Sequence, residues 1–164
     1  KYKFIKKDTK LLDVGAYPGG WSQVSSKIIT SGKILSLDLK KMDQLKNVSF
    51  LQSNFLEENT KEKVFNFFSG SLNVVLSDMA ADTTGNKSLD CIRTNQLCAN
   101  VINFSSKILL PNGVLISKLF MGDDFLEVKD LAKTKFKKVQ FFKPEASRNE
   151  SKETYLYCAI LKTL

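Results

Sequence analysis

No histidine occurs in the 164 residues. That removes imidazole-based triads and makes a zinc site unexpected. Cysteine is scarce as well. Cys91, Cys98 and Cys158 form no CxxC pair, which argues against a disulfide framework and for a reducing compartment. No apolar run approaches the roughly 20 residues that cross a bilayer, and no signal-peptide pattern is visible. The chain begins at Lys1 rather than methionine, so a missing N-terminal part is expected. Acid is the minority sign, with 17 Asp and Glu against 25 Lys and Arg and a net charge of +8. Such a surface suits an anionic partner, nucleic acid before an anionic membrane. A proteome that uses lysine everywhere would produce the same excess. Linkers, repeats and low-complexity segments are not apparent. The length and the 43% hydrophobic content suit one domain, residues 1–164, with a sizeable core.

What is present centres on Leu11–Val24, LLDVGAYPGGWSQV. An apolar pair leads to Asp13, three glycines follow (Gly15, Gly19, Gly20), and Trp21-Ser22-Gln23-Val24 opens a helical pattern. A strand, a glycine turn and a helix start in that order form a cradle for a nucleotide-like ligand. A plain strand-to-helix connection uses the same residues, so the turn is weak on its own. Pro18 removes a backbone donor just before the glycine pair. That favours a cofactor without a pyrophosphate, such as S-adenosylmethionine, over NAD.

The remaining pattern alternates. Strands are expected at Lys10–Val14, Lys33–Leu37, Val48–Gln52, Leu72–Leu76, Val114–Leu119, Val139–Phe142 and Tyr155–Leu161. Helices are expected at Trp21–Thr30, Glu57–Phe68, Leu89–Leu110 and Asp124–Ala132, with a turn at Pro111-Asn112-Gly113. Near-continuous apolar strands separated by helices predict an α/β fold: a mainly parallel sheet covered on both faces. The last two strands lack a helix between them, so one antiparallel strand is expected. In Lys1–Lys10, Tyr2, Phe4 and Ile5 are candidate packing anchors.

Ligands of such sheets sit at the carboxyl ends of the strands. Asp13, Asp38, Asn54 and Asp78 fall there. Asp38 can accept from both hydroxyls of a ribose, or cap a loop. Asn54 can meet an adenine edge, or close a turn. Lys118 stands in an apolar strand, VLISKLF, where a lysine needs a partner or a task. Burial and a neighbouring cation can strip its proton and make it a base; a strand-end lysine that reaches solvent is the plain alternative. Glu153 opens the last strand. If that strand is antiparallel, Asp78, Lys118 and Glu153 converge on one end of the sheet.

Taken together, GAYPGGWSQV, SDMA with Thr83-Thr84-Gly85, VLISKLF and SRNESKETY at Ser147–Tyr155 resemble the FtsJ-type ribose 2′-O-methyltransferases of ribosomal RNA over nearly the whole chain. The resemblance implies a Rossmann-like methyltransferase fold, a seven-stranded sheet with an antiparallel last strand. It implies S-adenosylmethionine as cofactor, with Gly15, Gly19, Gly20, Trp21, Asp38, Asn54 and Asp78 around it. It also implies a Lys–Asp–Lys–Glu tetrad, whose last three members match Asp78, Lys118 and Glu153. The first lysine of that tetrad would lie upstream of Lys1. Asn54 stands where the family has an aspartate, Tyr17 where it has a small residue and Asp82 where it has an asparagine. The expected activity is methylation of a uridine 2′-hydroxyl in large-subunit (23S) ribosomal RNA. The expected partners are ribosomal RNA or the large subunit, with no metal and no membrane, and the chain is expected to be monomeric. A bacterial cytoplasm is the expected location, with a mitochondrial one open. A transfer-RNA methyltransferase, a small-molecule methyltransferase and a non-catalytic RNA-binding domain of the same fold remain alternatives. Lys40, Lys41, Arg148, Lys152 and the N-terminal lysines are expected to meet phosphates at the strand ends, extended by Lys129, Lys133, Lys135, Lys137 and Lys138.

Overall fold

The structure is a computed structural model that describes residues 3–144 and 151–163. Valine-, leucine- and isoleucine-rich runs form seven strands: β1 (Lys10–Val14), β2 (Lys33–Asp38), β3 (Ser49–Gln52), β4 (Leu72–Ser77), β5 (Leu109–Phe120), β6 (Phe136–Phe142) and β7 (Glu153–Leu161). Four helices join them: α1 (Gly20–Ile28), α2 (Glu58–Phe68), α3 (Lys87–Ile108) and α4 (Phe125–Lys135). The strands lie in the order β3-β2-β1-β4-β5-β7-β6. All neighbours are parallel except β7, which runs against both β5 and β6. The mainly parallel α/β sheet and the helix-free last connection are therefore as the sequence predicts.

The expected turn at Pro111-Asn112-Gly113 is instead part of β5. Leu109 pairs with Leu72 and Val114 with Val74, so four residues stand against Asn73 alone. Proline cannot donate to the ladder, and a bulge accommodates it. A Cβ on Gly113 would come within 2.8 Å of the Leu110 carbonyl oxygen, which is why only glycine fits there.

The two faces of the sheet are covered unequally. One carries the larger core, where Val64 and Phe68 of α2, Cys98, Val101 and Ile102 of α3, and Val128 and Ala132 of α4 pack on Leu12, Leu35, Val75, Leu115 and Leu156. The other holds a smaller cluster around Leu11, Ile34, Val74, Leu76, Ile116 and Tyr155. Among the described residues α1 is the helix on that face, and Phe4 and Ile5 pack there as the sequence expects. Tyr2 lies outside the described residues. All three cysteines are free and buried.

Candidate active site

Strand β1 has β2 on one side and β4 on the other. The connections leave in opposite directions there, which opens a crevice at the carboxyl ends. The glycine loop fills one wall of it. Gly15 and Ala16 donate their N–H groups to the Leu37 carbonyl, and Tyr17 N–H donates to Asp38 Oδ2 at 2.9 Å. Lys40 N–H donates to the other oxygen, Oδ1, at 2.8 Å. Asp38 is thus held by backbone on both oxygens, with lone pairs left for a ligand. Gly15 has φ +71°, and a Cβ there would sit 2.8 Å from Met79 N. Gly19 (φ +110°) precedes α1, while a Cβ on Gly20 would meet nothing within 4 Å. The helix start therefore faces open space.

Two expected cofactor residues stand differently. Asn54 Oδ1 accepts from Leu56 N–H at 3.0 Å; this is the turn-closing bond, and it leaves the side-chain amide N–H groups as donors. The Trp21 ring lies against Tyr155, centroids 5.6 Å apart, on the α1 face rather than in the loop. With Phe4, Ile5, Leu76, Ile116, Phe142 and Tyr155 it lines an apolar cavity of about 440 Å³.

The ladder brings the other three residues together. Ser77 pairs with Ser117, which sets Asp78 level with Lys118. Phe120 pairs with Glu153 and Lys118 with Tyr155, across antiparallel strands. Residues two apart share a face, so Glu153, Tyr155 and Lys118 point the same way. Lys118 Nζ lies 3.0 Å from Asp78 Oδ1 and 3.5 Å from Glu153 Oε2, and its side chain is 13% exposed. Asp78, Lys118 and Glu153 meet as the sequence expects, while the further lysine that the resemblance implies would lie upstream of Lys1. The structure provides two carboxylates, and among the described residues no other lysine pairs with either.

Sequence reasoning assigns no role to Tyr155. Its hydroxyl donates to Asp78 Oδ1 at 2.8 Å and lies 3.4 Å from Glu153 Oε1. Burial, then the hydrogen bond to Asp78, pushes the phenol well above its ordinary value, so it stays a donor. The signal was present: an aromatic hydroxyl two residues after Glu153 falls on the same face. Asn95 was also missed. Fully buried, it donates to the Phe120 carbonyl and to Asp124 Oδ1 and accepts from Phe120 N–H, pinning the end of β5. Met121 N–H donates to the Lys152 carbonyl and ties β5 to the start of β7.

Asp13 lies beneath the loop with no exposure. Ser22 Oγ donates to its Oδ2 and shares a 2.6 Å hydrogen bond with Ser36 Oγ. Its other oxygen has no partner among the described residues. Desolvation above all, then the charges of Asp78 and Asp38, pushes Asp13 up to about 7, against the Ser22 hydrogen bond.

The expected basic surface divides. Lys40, over the Tyr17 ring at 5.4 Å, is at the carboxyl ends of the strands, and Lys152 is beside β5 there. Lys1 and Arg148 lie outside the described residues. Lys6, Lys7 and Lys10 precede or open β1, at the opposite end. Lys133, Lys135, Lys137 and Lys138 are also at that opposite end, where α4 stops and β6 starts. Lys129 is about one turn earlier on the same helix. None of these extends the surface at the strand ends, because β6 runs parallel to β5 and begins where β5 begins.

The model of the FtsJ-like methyltransferase family matches residues 1–161. The chain belongs to that family. A Pelagibacter ubique relative named ribosomal RNA large subunit methyltransferase E is 41% identical over 99% of this chain and 80% of its own length. A Rickettsia akari relative of the same name is 44% identical over 95% of this chain and 71% of its own. Among solved structures, a Plasmodium falciparum protein described as a ribosomal RNA methyltransferase superposes with a TM-score of 0.85 at 29% identity, covering 98% of this chain and 90% of that one. The fold extends to human methyltransferase-like protein 13 (TM-score 0.71, 17% identity, 93% and 72% covered). In this chain the acid–lysine–acid group of Asp78, Lys118 and Glu153 stands at the strand ends, near the glycine loop. Among its described residues no group of His, Cys, Asp and Glu is placed to hold a metal ion.

Proposed function

We propose that this chain is an S-adenosylmethionine-dependent RNA methyltransferase acting on a ribose 2′-hydroxyl, with a uridine of large-subunit (23S) ribosomal RNA as substrate. The observation that carries this reading is Lys118 Nζ, held 3.0 Å from Asp78 and 3.5 Å from Glu153 beside the glycine loop. The names of the relatives support ribosomal RNA, and the net charge of +8 suits any RNA. Residues 1–164 act as one methyltransferase domain, and the chain works as a monomer in the bacterial cytoplasm.

The crevice fits the cofactor. Open space before Gly20, the close approach at Gly15 and the backbone-fixed Asp38 leave room for an adenosine and a carboxylate to meet its ribose. Gly15, Gly19, Gly20 and Asp38 would hold it, with the free Asn54 amide towards the adenine and Asp78 towards the reacting end. When bound, S-adenosylmethionine supplies an electrophilic methyl on a sulfonium.

The protein must align the ribose oxygen and remove its proton. Lys118 takes that proton at Nζ. Asp78 and Glu153 fix where the nitrogen points, and the Tyr155 hydroxyl holds the two carboxylates in place.

The test is methyl transfer from labelled cofactor to ribosomal RNA, transfer RNA or no RNA. Lys118→Ala should lower kcat by about 10²–10⁴-fold with cofactor affinity unchanged; parental turnover rejects Lys118 as base. Tyr155→Phe should lose about 10–100-fold in kcat, the worth of a hydrogen bond to a charged group.

A further inference from the structure

We infer that the chain carries a second RNA contact, at the end of the sheet away from Lys118. This rests on the RNA reading above. Five lysines surround one corner: Lys133 and Lys135 at the end of α4, Lys137 and Lys138 on opposite faces of edge strand β6, and Lys162 just beyond β7. None pairs with a carboxylate among the described residues.

The corner is built, and its backbone is strained to build it. Ile160 has φ +62°, a conformation that β-branched residues rarely adopt. Two residues on, Lys162 N–H donates to the Lys135 carbonyl and Lys162 Nζ to the Lys133 carbonyl. The end of β7 is thereby clamped onto the end of α4. Lys138 Nζ sits over the Tyr157 ring, 5.5 Å from its centroid. The backbone around these lysines is tied.

Each lysine also has a local explanation. A helix carboxyl end favours cations, and edge strands use lysine to block pairing with another chain. Neither explains why lysines from α4, both faces of β6 and the end of β7 gather around one corner with no carboxylate paired to them among the described residues. Phosphate does, since it is the anion the RNA substrate carries in series. From Tyr155, which pairs with Lys118, to Leu161, which pairs with Phe136, is six steps of β7, about 20 Å at roughly 3.3 Å each. A short strand lying in the catalytic crevice does not reach that far. A folded RNA or a ribosomal subunit does, through a segment distant from the target nucleotide.

The experiment compares the wild-type protein with Lys133→Glu/Lys137→Glu/Lys138→Glu on two substrates: a full-length ribosomal RNA and a short oligonucleotide around the methylated site. The RNA contact predicts a KM at least 10-fold higher for the long RNA, with kcat, cofactor affinity and the oligonucleotide KM unchanged. The salt dependence of long-RNA binding should flatten by about one unit of slope per lost contact. The corresponding Lys→Gln triple, which keeps the stems and introduces no acid, should show the same effects in weaker form if the Glu variant fails to fold. Unchanged long-RNA binding overturns the inference, and aggregation as the only effect assigns these lysines to edge protection. Equal losses on both substrates place the patch in the catalytic crevice, which overturns it too. Weakened binding to the large subunit with naked RNA unaffected identifies a protein partner instead. If the wild type methylates neither RNA, the catalytic reading has failed, and the salt slope still decides the RNA contact.

Discussion

Asp13 follows Leu12 in β1 and has none of its side chain exposed. It is a carboxyl lodged under the glycine loop, one oxygen on Ser22 and the other unpartnered among the described residues. Burial raises it from its ordinary 3.8 to about 7. A carboxyl raised in this way binds its proton more tightly in the folded state than in the unfolded chain. Stability therefore falls as pH rises from about 4 to about 7 and is level beyond. About three units at roughly 1.4 kcal/mol each put the effect on the order of 4 kcal/mol. Asp13→Asn keeps the shape and an acceptor for Ser22 and removes the titration. Urea unfolding should show the variant gaining on the wild type by a few kcal/mol between pH 4 and pH 7. A difference that stays constant over that range would show that Asp13 titrates as an ordinary surface acid. Its position at a strand end is legible in the sequence. Its burial is not, because Ser22 and Ser36 come from α1 and β2.

At the scale of elements, the glycine loop and its strands were the most legible part. Largely apolar segments of five or six residues mark β1, β2 and β4, and Gly15, Gly19 and Gly20 mark the turn. Which glycine does what was not legible. Gly15 has no room for a Cβ, since Met79 N lies 2.8 Å away, whereas Gly20 opens onto space. The two should respond oppositely to alanine. Gly15→Ala combines a clash with positive φ and should destabilise the fold by about 2 kcal/mol or more. Gly20→Ala, in the first turn of α1, should leave stability equal or raise it by up to about 1 kcal/mol, while weakening the cofactor. Thermal unfolding with and without S-adenosylmethionine separates them. A stable Gly15→Ala protein would show that Met79 can move aside. The one element misread, Pro111–Gly113, shows the limit of local signals. Proline and Asn-Gly read as a turn, yet the ladder continues through them as a bulge because Leu109 and Val114 both find partners on β4.

For the whole molecule, the crevice joins β1, β2 and β4, so a ligand there bridges parts of the chain far apart in sequence. Cofactor binding should then stabilise the folded state as a unit. At about 100 times its dissociation constant, S-adenosylmethionine should add roughly 2.7 kcal/mol to unfolding, a rise in Tm of about 5–10 °C for a chain of this size. Lys118→Ala should keep that rise, because the residue serves the reaction and not the cofactor. A saturating dose without any shift contradicts the cofactor site. Charge is also a property of the whole. The excess of basic residues was plain in the sequence, but its division between two ends of the sheet was not, since the direction of β6 decides on which end Lys137 and Lys138 fall.

The sequence by itself determined the parallel sheet, the glycine turn and the candidates Asp38, Asp78, Lys118 and Glu153, because each depends on the residue type and its neighbours along the chain. The tertiary structure alone decided how closely the two carboxylates approach Lys118, that Tyr155 links them, which of its two expected bonds Asn54 makes and that the basic residues divide. Those outcomes depend on the register between β5 and β7 and on which strands lie side by side. Such pairings join residues dozens of positions apart, and no local pattern encodes them.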